Sequence, residues 1–121
     1  MVEAEPACRV WWDEARGIAH NDWRPQSVCT LQQARAVTQA TKDLGFGTVP
    51  VLVDMRFLSK ADRAARVHFT SSEGEAKAVA LLVSSPVSKV VANVMVGLLR
   101  SAPTRTFTDE ALAVKWLMTH R

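Results

Sequence analysis

The sequence predicts a single α/β domain of order ββαβαβαβα, with a five-stranded mixed sheet and four packed helices. Three observations predict it. Two alternating segments near the N-terminus, residues 8–13 and 17–23, are separated by a short loop. Two short continuous apolar runs, residues 51–55 and 78–84, are each followed by helix-start residues. Apolar residues recur at helical spacing between and after these runs. A strand, a helix and a second strand in one sheet require a right-handed crossover, so the later strands should be parallel.

In CRVWWD, Cys8, Val10 and Trp12 share one face, and GIAHNDW alternates in the same way. The loop EARG between them ends in Gly17, which can take a positive φ, so the two strands should pair as a hairpin. Adjacent Trp11 and Trp12 must point to opposite faces of the sheet. One can join the core, and the other needs a separate cover. After the linker RPQSVC, Thr30 and Gln33 have capping-box spacing. Leu31, Ala34, Val37, Ala40 and Leu44 then define the buried face of a helix that Gly45 ends.

VLVDM is a continuous apolar run ending at an acid, the mark of a strand buried on both faces, with Pro50 at its start. Ser59 and Asp62 repeat the capping-box spacing, and a helix should follow to about Ser72. AVALLVS is a second buried run. Ser85 followed by Pro86 reads as an N-cap and first-turn proline, opening a helix to about Leu99. Residues 104–107 make a short strand. Thr108 or Asp109 caps the last helix, with Asp109 and Glu110 complementing its dipole and Leu112, Ala113, Trp116 and Leu117 forming its apolar face. Sequential strand order is the simplest arrangement.

At 121 residues the chain is of single-domain size, and such a fold buries roughly two-thirds of its unfolded surface. Residues 1–6 (MVEAEP) are expected to be a flexible tail, leaving 7–121 as the domain. The sequence is 48% hydrophobic and 22% charged, with a net charge of +3. Its densest basic group, Lys60, Arg63 and Arg66, reads as a solvated helix face, so no nucleic-acid partner is expected. The two cysteines, Cys8 and Cys29, form no CxxC pair and follow no secretory signal. Buried, reduced thiols are expected. The most apolar stretch, residues 87–99, is interrupted by Lys89 and Asn93 and falls short of the roughly 18 residues of a membrane span. These absences lead to the expectation of a cytoplasmic protein.

No motif assigns catalysis. GxGxxG, GxxxxGK[ST] and GxSxG are all absent. His20, His68 and His120 have no metal-ligand spacing, and His68 reads as a partly buried, hydrogen-bonded helix residue. The expectation is a protein without cofactor, metal or enzymatic activity.

The segments VPVLVDMRFLSKADRAAR, AVALLVSSPVSKVVANVMVGL and PTRTFTDEALAVKWL resemble the STAS superfamily, the sulfate transporter and anti-sigma-factor antagonist fold, also called SpoIIAA-like. More narrowly, the chain looks like small stand-alone bacterial proteins labelled STAS/SEC14-like. The matching segments cover most of residues 49–117. The resemblance implies a SpoIIAA-like fold and a binding or regulatory role, and it supplies no catalytic residue. In anti-sigma-factor antagonists a buried strand ends in Asp, and a phosphorylated serine follows an acid at the next helix start. Here Asp54 matches the strand-end acid and Asp62 the helix-start acid, while Arg63 stands where the serine would be. Ser59 is the one hydroxyl at that helix entrance, and it would require a shorter loop. A phosphorylation switch is therefore not expected.

Strand ends and helix starts supply the candidate binding residues: Asp54, Arg56, Ser59, Ser84 and Ser85. Open α/β sheets place ligands at such strand ends, and they also place structural caps there. Asp54 can equally anchor its own loop through backbone hydrogen bonds. The helix over residues 87–99 has one narrow polar stripe, Lys89, Asn93, Gly97 and Arg100. Its apolar remainder calls for a neighbouring helix, a partner subunit or an apolar ligand. The leading expectation is a non-enzymatic interaction domain binding a protein partner or itself, most simply as a symmetric homodimer. The alternative is a carrier of a small apolar ligand or lipid, of SEC14-like type. A partner would use a broad surface patch, and a carrier an enclosed apolar cavity.

Overall fold

The structure, a computed structural model, describes residues 2–5, 8–45, 48–71, 76–84 and 103–121. Its centre is a six-stranded sheet of order β1-β2-β3-β5-β7-β8. The strands are β1 (Val2–Glu5), β2 (Cys8–Asp13), β3 (Ile18–Trp23), β5 (Pro50–Asp54), β7 (Ala78–Leu82) and β8 (Thr104–Phe107). The five predicted strands are all present, in sequential order. β1, β2 and β3 pair antiparallel, whereas β3, β5, β7 and β8 are mutually parallel. The sixth strand is a correction, because it lies in the segment expected to be a tail. An alternating VEAE segment two residues before β2 can fold back onto that strand's open edge, with Val2 opposite Val10.

Two short strands, β4 (Val28–Cys29) and β6 (Lys60–Ala61), form a separate parallel pair. They lead into helices α1 (Leu31–Asp43) and α2 (Arg63–Ser71). Thr30 caps α1, accepting the Gln33 N–H at 3.2 Å. Past the helix, Gly45 has a φ of +82° and donates to the Lys42 carbonyl, as a left-handed C-terminal residue does. The start of α2 departs from expectation. Ser59 does not cap it: its N–H donates to Ser27 O, and the Asp62 N–H donates to Cys29 O. Pairing with residues 27–29 keeps this backbone extended, and the helix begins at Arg63. The third described helix, α3 (Glu110–Met118), is capped by Asp109, which accepts from the Ala111 and Leu112 N–H groups. The helix predicted for about residues 85–99 lies outside the described residues.

Right-handed crossovers between sequentially placed parallel strands put α1 and α2 on the same face. There they pack on each other, and α1 covers β1 and β2. This side of the core holds Cys8, Val10, Trp23, Val37, Met55 and Leu81. Helix α3 covers the opposite face over β5, β7 and β8. Ala78, Ala80 and Ala113 are small enough to let it approach, and Leu52, Leu82 and Leu117 fill the space between. Burying each leucine contributes about 1.5–3 kcal/mol. Leu112, expected on the buried face of α3, is instead 57% exposed. Val114 takes its place in the core. No described helix is long and apolar enough to cross a membrane.

Candidate functional site

Strand β5 delivers Asp54 to the carboxyl end of the sheet, on the same face as Leu52 because side chains alternate. Asp54 then holds the loop that follows. Its Oδ1 accepts the Arg56 backbone N–H at 3.2 Å and Arg56 Nε at 3.0 Å, and its Oδ2 accepts Arg56 Nη2 at 2.8 Å. This is the anchoring role that the strand-end position allows. Two further acids surround the same guanidinium. Glu110, at the start of α3, lies 3.5 Å from Arg56 Nη2, and Asp22 sits beside Asp54 in the β3–β5 register. The hydrogen bonds to Asp54, with the charges of Asp54, Glu110 and Asp22, hold the Arg56 pKa above its ordinary value against the opposing effect of burial.

Backbone and side-chain bonds fix the rest of the loop. Ser84 donates its hydroxyl to the Arg56 carbonyl at 3.1 Å. The Met55 N–H reaches Leu82 O, the Gln26 N–H reaches Phe57 O, and the Leu58 N–H closes onto Met55 O. Leu58 and Met55 point into the core, whereas Phe57 stands 56% exposed at the tip. The Arg56 guanidinium lies 5.7 Å from its ring centre. The structure thus brings Asp54, Arg56 and Ser84 together. Ser59 follows at the start of the β4–β6 pair with an exposed side chain, and Ser85 lies outside the described residues. Phe57 was not singled out in the sequence, although an aromatic residue between Arg56 and Leu58 in a strand-to-helix loop was a usable signal.

A second polar group lies on the α3 side of the sheet, across β2 and β3. His20 and Asp13 are each 5% exposed, and His20 Nε2 is 3.0 Å from Asp13 Oδ2. Arg16 closes the hairpin end with a 3.0 Å bond to the same carboxylate oxygen. The Trp11 ring stacks on His20 at 4.0 Å, and its Nε1 donates to Asp22 Oδ2 at 2.8 Å. Burial pushes the Asp13 carboxyl upward, but hydrogen bonds from His20 and Arg16 outweigh it and leave the pKa below its ordinary value. Trp11 therefore finds its cover within the chain, on a histidine that hairpin register brings opposite it.

Both groups hold their side chains in place through the hydrogen bonds given above. The Cys8 and Cys29 thiols are free and buried. Burial pushes the Cys29 thiol up to about 12 and raises Cys8 as well, far from a thiolate at neutral pH. His68, half-buried as expected, bonds Thr38 Oγ1 at 3.0 Å and ties α2 to α1. Among the described residues, no group of three or more His, Cys, Asp or Glu side chains could hold a metal ion.

No curated protein matches the chain. Among solved structures it is similar to an uncharacterized protein from the DUF3478 family with a SpoIIAA-like fold, from Shewanella loihica PV-4. The two share 16% identity over 92% of each chain, with a TM-score of 0.67. That likeness shows the fold, and it agrees with the SpoIIAA-like architecture implied by the strand-end segments. A family model described as Domain of unknown function (DUF7793) matches residues 11–121, from the first tryptophan of the hairpin to the last residue, and the chain belongs to that family.

Proposed function

We propose that this is a non-enzymatic, STAS-like interaction domain whose loop after β5 contacts a protein partner. One observation carries the reading: Phe57 is 56% exposed, yet its loop is fixed by Asp54, Ser84, Gln26 and Leu82. An aromatic side chain held out on a rigid backbone gives contact area with little ordering cost, which is how interface anchors work. The partner class is protein, and a second copy of the chain belongs to that class. The competing reading is a carrier of a small apolar ligand or lipid, which would use an enclosed cavity instead of a projecting ring.

A photo-crosslinking residue placed at position 57, with position 112 as an equally exposed control, separates the two readings. Irradiation in cells should yield protein adducts at position 57 and not at 112. Native mass spectrometry of the purified chain supplies the other arm. Stoichiometric retention of a small apolar molecule, without protein adducts at position 57, would replace the interaction reading with the carrier.

A further inference from the structure

The β4–β6 pair connects the Phe57 loop to the first turns of α1 and α2, and an open groove runs between these two helices. Its volume is about 590 Å³, and it is lined by Leu31, Arg35, Arg63, Ala64, Val67 and His68. Both helices return from parallel strands, so they run side by side in the same direction. Leu31 and Arg35 are four residues apart on α1. Arg63 and Val67, and Ala64 and His68, have the same spacing on α2. Helix α1 therefore presents one aligned row to the groove, and α2 two adjacent rows.

The rows combine apolar surface with positive charge. Val67 is 51% exposed, and Ala64 beside it is exposed as well. Arg35 and Arg63 are both exposed. Neither helix has an acid in its first turn. Asp62, next in sequence to Arg63, lies 3.8 Å from Lys60 Nζ. Among the described residues neither groove arginine forms an ion pair, in contrast to Arg16 and Arg56. An apolar trough with an exposed guanidinium on each wall is complementary to an apolar ridge flanked by carboxylates. Arginine is also the cation suited to this contact, because its planar fork accepts a carboxylate in two parallel hydrogen bonds.

We propose that the α1–α2 groove seats an acidic amphipathic helix of the protein partner. This rests on the interaction reading and specifies the partner's chemistry. The partner's apolar stripe lies on Leu31, Ala64 and Val67, and its Asp or Glu side chains reach Arg35 and Arg63. This is the helix-in-groove mode, with apolar anchors on one face and charge fixing the register.

The test uses the full chain and a panel of labelled amphipathic helical peptides. Each carries a leucine stripe flanked by glutamates, and each is matched by a peptide with glutamine in place of glutamate. Fluorescence anisotropy should show saturable binding of one or more glutamate peptides, weaker by about tenfold or more for the glutamine matches. Arg35→Glu and Arg63→Glu should each weaken binding by about tenfold, and the double variant should abolish it. Lys115→Glu, which changes an exposed cation on α3, should leave it unaltered. Urea midpoints confirm that the variants fold.

Phosphatidylserine-containing vesicles and a duplex DNA are run alongside. Arginine-dependent binding to either one without peptide binding would overturn the proposal in favour of a membrane or nucleic-acid surface. Failure of the whole panel, or equal binding of glutamate and glutamine peptides, would also overturn it. Groove failure with position-57 adducts intact rejects only the acidic-helix proposal. Loss of the adducts rejects the interaction reading itself.

Discussion

Asp54 shows how one strand-end acid sets a surface. Its carboxylate accepts three hydrogen bonds from Arg56, one from the backbone and two from the guanidinium. The amide of Asp54→Asn keeps one acceptor and loses the charge. The variant should fold, with stability reduced by about 1–3 kcal/mol. A urea denaturation curve with unchanged midpoint and slope would show that Asp54 does not anchor the loop. Asp13 makes a pH-dependent contribution of the same type. Its folded pKa is depressed by His20 and Arg16 despite burial. Its stabilisation is therefore present above the ordinary carboxylate range and is lost as pH falls through the folded value. Asp13→Asn should cost about 1–3 kcal/mol at neutral pH. The gap from wild type should narrow steadily as the solution is acidified below about pH 4. A gap that stays constant to the acid limit would mean that the carboxylate charge contributes nothing there.

Among the elements, the sequence was most legible where a local rule acts alone. Thr30, Gly45 and Asp109 punctuate their helices as capping chemistry requires, and the alternation of residues 8–13 and 18–23 fixes the hairpin. Legibility failed where a distant segment competed for the backbone. Ser59 and Asp62 have the spacing of a cap, but residues 27–29 pair with that stretch and delay α2 to Arg63. A two-residue strand pair carries no periodicity for a sequence pattern to reveal. The same pairing explains why the site was only partly legible. Asp54 and Ser84 follow from strand ends. The exposure of Phe57 depends on the loop being tied from both sides, through Gln26 and through Leu82. Leu112 failed differently. Helical spacing defines an apolar stripe but leaves its edges open, and in α3 Val114 packs inward against the small residues of β7 while Leu112 stays outside.

At the scale of the whole molecule, the described strands of the sheet end at β1 and β8, and three of the four large exposed apolar side chains among the described residues, all but Leu112, come from one stretch of the chain. Val28, Phe57 and Val67 are all large and exposed, and all fall between the start of β4 and the second turn of α2. The sequence-based expectation of a symmetric homodimer began from Trp11, Trp12 and the apolar stretch 87–99. Trp11 now has its partners in His20 and Asp22, and residues 87–99 lie outside the described structure, so the Phe57 side becomes the surface on which self-pairing is to be tested. A two-fold interface of standard size covers about 800 Å² of each subunit, and two-fold pairing is the commonest closed arrangement. Sedimentation across a concentration series should show mass rising from one chain toward two at high micromolar concentration. Phe57→Asp should shift that equilibrium back toward the single chain by at least about tenfold, because a charge replaces a buried aromatic anchor. A dimer indifferent to Phe57→Asp would place self-association on another face and leave the loop to a different protein. A single-chain mass at every concentration would reject self-association and make any position-57 adduct the mark of a different protein.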